Sequence, residues 1–278
     1  MDTTPASTQT TAVRETSDWT TAARARECGR PDAYLRDYYA ATACGPAASG
    51  LDRMVANGGE FGCPIARGRL GDALALRAVA GGVRQVVCLG AGGDTRAWRL
   101  RLPSDLAWWE VDLPGQLDAK NNRLAALGVT PHCPVTNVTT DLRGSWTEEL
   151  AHHGHNASRP TLWIADGLFY FLTPAEGTKL IDALTRRSAP GSRFCGDIPR
   201  PAPDDLRRAR LIAFMDGLGC PFVGGVEHPH QLFTDPAWRV DAHLSTDLAA
   251  GRCPLVPSLP HRLAEREHHI WYTHALLP

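Results

Sequence analysis

The chain has 278 residues, 43% hydrophobic and 21% charged, with 29 basic and 30 acidic side chains and a formal net charge of -1. That length and apolar content supply one sizeable core and do not call for several domains. The balanced charge leaves no basic excess to neutralise a row of phosphates, which excludes nucleic acid as the expected partner. The Thr- and Ser-rich opening, Met1 to Ser17, lacks the apolar run of a signal peptide or a membrane span. Eight cysteines stand singly, with no Cys-x-x-Cys pair and no His at zinc-finger spacing. They read as buried thiols of a reducing, cytoplasmic compartment, and no metal is expected.

In chain order, residues 1–18 are expected to be a flexible tail. Trp19 to Tyr39 suits helix, broken by Arg30-Pro31-Asp32. After a Gly-rich stretch from Gly45 to Gly62, a helix is expected from about Ile65 to Val79, ended by Gly81-Gly82. Residues 19–80 thus read as an N-terminal helical cap. Short apolar runs then alternate with helical stretches. The runs are Gln85 to Leu89, Leu106 to Val111, Pro131 to Val138, Thr161 to Ala165 and Ser192 to Gly196. Helices are expected from about Asp94, from Gly115 to Leu127 and from about Pro174 to Arg187, where Leu180, Ile181 and Leu184 share a face.

Strand and helix alternating in this way predict an α/β fold with a doubly wound, mostly parallel, Rossmann-like sheet and a ligand site at the carboxyl ends of its strands. The core spans 81–199. Residues 200–237 interrupt the alternation and read as a lid insertion. Residues 238–278 carry two runs, Trp238 to Leu244 and His268 to Leu276, compatible with an antiparallel closing pair.

The segment Val86-Val87-Cys88-Leu89-Gly90-Ala91-Gly92-Gly93-Asp94-Thr95-Arg96 places a strand, a glycine turn and a helix start in the order a nucleoside cofactor needs. A dinucleotide fingerprint would put its third glycine where Thr95 stands. Asp94, at the expected N-cap, would oppose a pyrophosphate seeking the same amides. S-adenosylmethionine, a sulfonium with no phosphate, fits better. Twenty and twenty-two residues past Gly90 come Glu110 and Asp112. An acid at the end of the second strand can accept hydrogen bonds from both ribose hydroxyls.

Four separated segments resemble the leucine carboxyl methyltransferase family, and in particular the bacterial branch that includes the tetracenomycin polyketide O-methyltransferase. They are Leu89 to Arg96, Trp109 to Pro114, Thr140 to Arg143 and Ile164 to Leu172. Ala23 to Glu27, Arg36-Asp37 and Ala66 to Arg69 are also similar to the family pattern, so the likeness covers roughly residues 20–200. The resemblance implies the class I S-adenosylmethionine-dependent methyltransferase fold. It also implies that Arg67, assisted by Arg24, pairs with the cofactor's carboxylate. Gly90 and Gly92 would line its methionine portion and Asp112 its ribose. Asp141 and the Leu142 backbone would meet the adenine edge. Asp166 stands where relatives have Glu, beside the cofactor's amino group. Arg96 and Trp98 adjoin the motif and are assigned to packing.

The expected activity is methylation of a carboxylate or hydroxyl of a small, polyketide-like natural product. A carboxylate acceptor needs no base, whereas a phenol is helped by one such as His. The candidates for catalysis or acceptor contact are Tyr170, His228 and His230, which with Phe222, Phe233 and Trp238 could form an aromatic pocket. The alternative for these residues is lid packing with solvent-facing histidines. His152, His153 and His155 are expected in an exposed loop, and His261, His268, His269 and His274 have no ligand spacing. Two other readings stay open: a nicotinamide-dependent oxidoreductase, and a methyltransferase fold kept for a binding or rearrangement role.

Overall fold

The computed structural model describes residues 5–59, 61–264 and 270–278, with side chains from residue 11 onward. Four helices, α1 (Pro5–Cys28), α2 (Ala40–Ala43), α3 (Gly50–Ala56) and α4 (Cys63–Ala80), precede the first strand. The chain then runs β1 (Gln85–Leu89), α5 (Arg96–Arg99), β2 (Ala107–Asp112), α6 (Gln116–Ala126), β3 (Val135–Thr139), α7 (Trp146–His152), β4 (Thr161–Ala165), α8 (Pro174–Arg186) and β5 (Arg193–Pro199). It closes with α9 (Leu206–Gly217), β6 (Arg239–His243), α10 (Ser245–Ala249) and β7 (Ile270–Leu276).

The seven strands form one sheet in the order β3-β2-β1-β4-β5-β7-β6. β1 to β5 are mutually parallel, and β7 runs antiparallel to both β5 and β6. This is the doubly wound, mostly parallel fold that the alternation predicts. The order reverses between β1 and β4, so their following loops diverge and leave a crevice at the strands' carboxyl ends.

Burial follows the two-residue period of each strand. Val87, Leu89, Trp109, Val111, Trp163 and Ala165 enter one core with Leu180, Ile181 and Leu184 of α8. Val86, Cys88, Trp108, Leu162 and Ile164 enter the other with Ala75 and Ala78 of α4. Helix α8 starts where it does because Thr173 accepts from the Glu176 amide while the Glu176 carboxylate takes the Thr173 N–H, with Pro174 at the first helical position.

Several local features depart from the sequence expectation. The stretch expected to be a tail is helical from Pro5 and continuous with the segment from Trp19. Thr and Ser are weak helix formers, and here the helix is held by packing. Trp19, Ala22 and Ala23 are buried with Leu51 of α3 and with Leu211 and Met215 of α9. The helix after the glycine turn is a single turn, with Thr95 rather than Asp94 at its N-cap. Helix α7 has seven residues, too few for a helical period to show, and is absent from the sequence expectation.

His155, expected in an exposed loop, is buried. Its ring packs 5.6 Å from Trp109 and 5.2 Å from Trp163, and its Nε2 lies 3.0 Å from Thr161 Oγ1. All eight cysteines are free thiols, but Cys28 and Cys44 are only half-buried. His268 and His269, with the opening of the last expected strand, lie outside the described residues. No helix of the described residues is long and apolar enough to cross a membrane.

Candidate active site

The glycine turn leaves β1 with Gly90 at φ +65 and Gly92 at φ +48, the left-handed region that favours glycine. The Gly90 and Ala91 amides both donate to the Val111 carbonyl, at 2.8 and 3.2 Å, which pins the turn to β2. Asp112 ends that strand, and its carboxylate accepts from the Gly92 amide at 2.6 Å and the Leu113 amide at 2.7 Å. Burial pushes the Asp112 carboxyl upward and these two amides pull against it. A Cβ on Gly92 would fall 2.4 Å from Ser17 Oγ, and one on Gly93 2.0 Å from Thr21 Oγ1. The glycines therefore admit helix α1 onto the turn, a role that the sequence expectation lacks.

A cavity of about 170 Å³ opens over this turn at the carboxyl ends of β1, β2, β3 and β4. Arg24, Arg67, Gly90, Gly92, Asp112, Asp141, Leu142 and Asp166 all line it, along with Val13, Thr16, Ser17 and Thr20 of α1. Residues spread over more than 150 positions of sequence thus converge on one concavity, with α1 as its cover.

The polar groups of the cavity form a chain of buried ion pairs. Arg96 on α5 is 3% exposed, and its Nε donates to Asp72 Oδ1 at 3.1 Å. Its Nη1 pairs with Asp94 and its Nη2 with Asp166 Oδ2 at 2.7 Å. Burial raises the Asp94 carboxyl, but Arg96 and its backbone amide outweigh burial and hold it at about 2. Asp94 thus neutralises Arg96 and, from the residue before the N-cap, also accepts the Arg96 amide at the helix start at 2.6 Å. Arg96, assigned to packing from the sequence, is an electrostatic anchor that sets Asp166. Trp98 does pack, beneath the Lys120 ammonium at 4.8 Å from its ring. Lys120 in turn pairs with fully buried Glu110, which is no part of the cavity lining, so of the two acids on β2 only Asp112 reaches it.

The residues present fit S-adenosylmethionine. Asp166 Oδ1 is buried with no hydrogen-bond partner among the described residues, an acceptor suited to an ammonium group. Burial raises the Asp166 carboxyl, with Arg96 and Arg67 opposing. Arg67 on α4 donates through Nη1 to Asp197 Oδ2 at 2.9 Å, leaving other guanidinium donors for a carboxylate. Arg24 is more committed, donating through Nε to Asp37 at 3.0 Å and through Nη2 to the Gly93 carbonyl at 2.6 Å. Asp141 lines the cavity with its carboxylate gripped by its neighbour Arg143, at 3.1 Å from Nε and Nη2. Thr95, in the slot of a third glycine, donates through its hydroxyl at 2.6 Å to Asp37.

A second cavity adjoins the first. Thr16, Thr20, Pro64, Arg67, Gly167 and Phe171 line both, and the second continues past Met54, Cys63, Tyr170, Arg208, Leu211, Phe222 and Ile270. Tyr170 is therefore at this cavity, its hydroxyl donating at 3.0 Å to Asp197 and its ring 5.0 Å from Phe222. Burial pushes the Tyr170 phenol well above its ordinary range, which favours the protonated form that donates to Asp197.

His228 and His230 are exposed and line neither cavity, His228 lying flat on Trp271 at 4.9 Å. Phe233 and Trp238 are in the core beside Phe194, not in an aromatic acceptor pocket. The expected pocket therefore keeps Phe222 and Tyr170 and loses the rest. Reasoning from sequence missed Asp197, which is fully buried and accepts from Arg67, Tyr170 and the Gly167 amide. Its signal was a lone acid in the apolar strand Phe194-Cys195-Gly196-Asp197-Ile198.

Comparison with known proteins agrees with this geometry. Residues 18–185 match the family model for leucine carboxyl methyltransferase. A Mycobacterium bovis protein named "Putative S-adenosyl-L-methionine-dependent methyltransferase" is 35% identical over 240 residues, 80% of this chain and 75% of that one. A like-named protein of Mycolicibacterium paratuberculosis is 42% identical over 146 residues, 52% of this chain and 47% of its own. Among solved structures, a DUF574 family protein from Streptomyces avermitilis shares the fold, with a TM-score of 0.61, 13% identity, and coverage of 93% of this chain and 97% of that one. The chain belongs to the leucine carboxyl methyltransferase family, and S-adenosylmethionine is its cofactor.

Proposed function

We propose that the protein methylates a carboxylate of a small organic molecule held in the second cavity, forming a methyl ester. The observation that carries this reading is the composition of that cavity. Among the described residues it is lined by two arginines, Arg67 and Arg208, and by no Asp, Glu or His. A phenol or alcohol must lose a proton to become a good nucleophile and is served by a nearby base. An ionised carboxylate gains a methyl group without losing any proton, and the Arg208 guanidinium on the cavity wall favours its entry.

Bound in the first cavity, S-adenosylmethionine supplies the methyl group on a sulfonium. The protein's own part is orientation. Asp112, Asp166 and Arg67 hold the two ends of the cofactor cavity, and the shared wall of Arg67, Gly167 and Phe171 brings the acceptor against it. Positioning of this kind supplies up to about 7–11 kcal/mol of barrier lowering in favourable cases.

Carboxylic acids incubated with the protein and isotopically labelled methyl donor, followed by mass spectrometry, give the test. The expected product carries one methyl group and releases methanol on mild base treatment. A methylated product that survives base is an ether, and sets ester formation aside in favour of hydroxyl methylation.

A further inference from the structure

Three arginines are buried among the described residues: Arg67, Arg96 and Arg208. Arg67 is neutralised by Asp197, and Arg96 by Asp72, Asp94 and Asp166. Arg208, on helix α9 and 8% exposed, has no hydrogen-bond or ion-pair partner among the described residues. Its guanidinium lies over two rings, 5.8 Å from the Tyr170 centroid and 5.7 Å from Phe222. Aromatic faces offset part of the cost of desolvating a cation, but they leave its five N–H donors unused. Buried charges are ordinarily paired. Here the space in front of the guanidinium is the second cavity, and no carboxylate of the described residues lines it.

Arg208 also sits on the part of that cavity that the cofactor cavity does not share, whereas Arg67, Gly167 and Phe171 line both. A carboxylate clamped by a guanidinium has its lone pairs tied up and its charge neutralised, which makes it a poor nucleophile. A cation away from the junction therefore suits an anionic group that is held, not methylated. The part of the cavity that is not shared is otherwise lined mostly by apolar surface, including Met54, Leu211, Phe222 and the Tyr170 ring.

We propose that Arg208 selects the acceptor by binding a second acidic group, so that the acceptor is an apolar-bodied diacid methylated at the end away from Arg208. This rests on assigning the second cavity to the acceptor. Two probes test it, 2-naphthoate with one acidic group and 2,6-naphthalenedicarboxylate with two. Their binding to the full chain, saturated with S-adenosylhomocysteine, is measured by calorimetry for the wild type and for Arg208→Gln, Arg208→Lys and Leu211→Trp.

The diacid is expected to bind the wild type about tenfold or more tightly than the monoacid, the worth of charge-assisted hydrogen bonds. That advantage disappears in Arg208→Gln and is partly kept in Arg208→Lys, while affinity for S-adenosylhomocysteine stays the same in both, which excludes misfolding. Leu211→Trp fills the cavity and blocks both probes. Equal binding of the two acids by the wild type, or an advantage that survives Arg208→Gln, overturns the role of Arg208. If neither acid binds, or if Leu211→Trp leaves their binding intact, the acceptor cavity itself is misassigned, and the proposal falls with it.

Discussion

At the scale of single residues, the site is a set of charges that only partly satisfy one another. Asp112 already takes two backbone amides, so its carboxylate is fixed before any ligand arrives. Its replacement by Ala removes hydrogen bonds to a charged group, worth about 1.5–3 kcal/mol. Calorimetry should show S-adenosylmethionine affinity reduced about tenfold or more; affinity within twofold of wild type would mean that Asp112 does not hold the ribose. Arg67 has a double role. Arg67→Ala removes a cation from the cofactor cavity and also strands Asp197, which is fully buried. Breaking one side of a buried pair costs about 3–5 kcal/mol, so urea titration should show a large loss of stability, and Arg67→Lys should recover most of it. If Arg67→Ala is as stable as wild type, the ion pair with Asp197 is not what steadies this wall.

Among the elements, α1 deserves most weight because it turns an open crevice into a covered one. Its fit against the glycine turn is tight: Thr21 Oγ1 occupies the space a Cβ on Gly93 would need, 2.0 Å away. Gly93→Ala should push α1 outward, at the roughly 1–3 kcal/mol typical of overpacking, and weaken cofactor binding. Thr21→Ala removes the clashing hydroxyl and leaves Thr21 Cβ's position 3.1 Å from the new group. The double variant Gly93→Ala, Thr21→Ala should therefore bind cofactor better than Gly93→Ala alone. A purely additive result in that cycle would show that the glycine serves the cofactor and not the helix.

For the molecule as a whole, ligand binding and folding are linked. A cofactor seated between the sheet and α1 stabilises the folded state by about 2.7 kcal/mol at a hundredfold excess over its Kd. Amide exchange in residues 13–24, which include the cavity-lining part of α1, should slow when S-adenosylhomocysteine is added. Unchanged exchange there would argue against α1 as the cover. Away from the site, burial pushes the His155 imidazole down to about 4 from its ordinary 6.5. Between those values the unfolded chain binds more protons than the folded one, so stability rises with pH. The contribution of neutral His155 is complete above about pH 6.5 and is lost as pH falls through about 4. In His155→Phe, this part of the pH dependence of the urea midpoint should vanish; a slope equal to wild type assigns it to other groups.

The parallel sheet, the glycine turn and the cofactor class were legible in the sequence because each is written in short-range patterns: short apolar runs alternating with helical stretches, a glycine turn after the first run, an acid at the end of the second. The eight cofactor-site residues named from the sequence do line one cavity. What it left hidden depends on contacts across long separations. Arg67 meets Asp197 over 130 positions. Thr21 lies against Gly93 and Arg208 beneath the rings of Tyr170 and Phe222. Helix α1 has no strong propensity of its own, and His228 and His230 looked available until the chain turned them outward. Periodicity records which face of an element is apolar, but not which other element covers it. Packing decided that, and with it, among the described residues, which charges are paired and which face the second cavity.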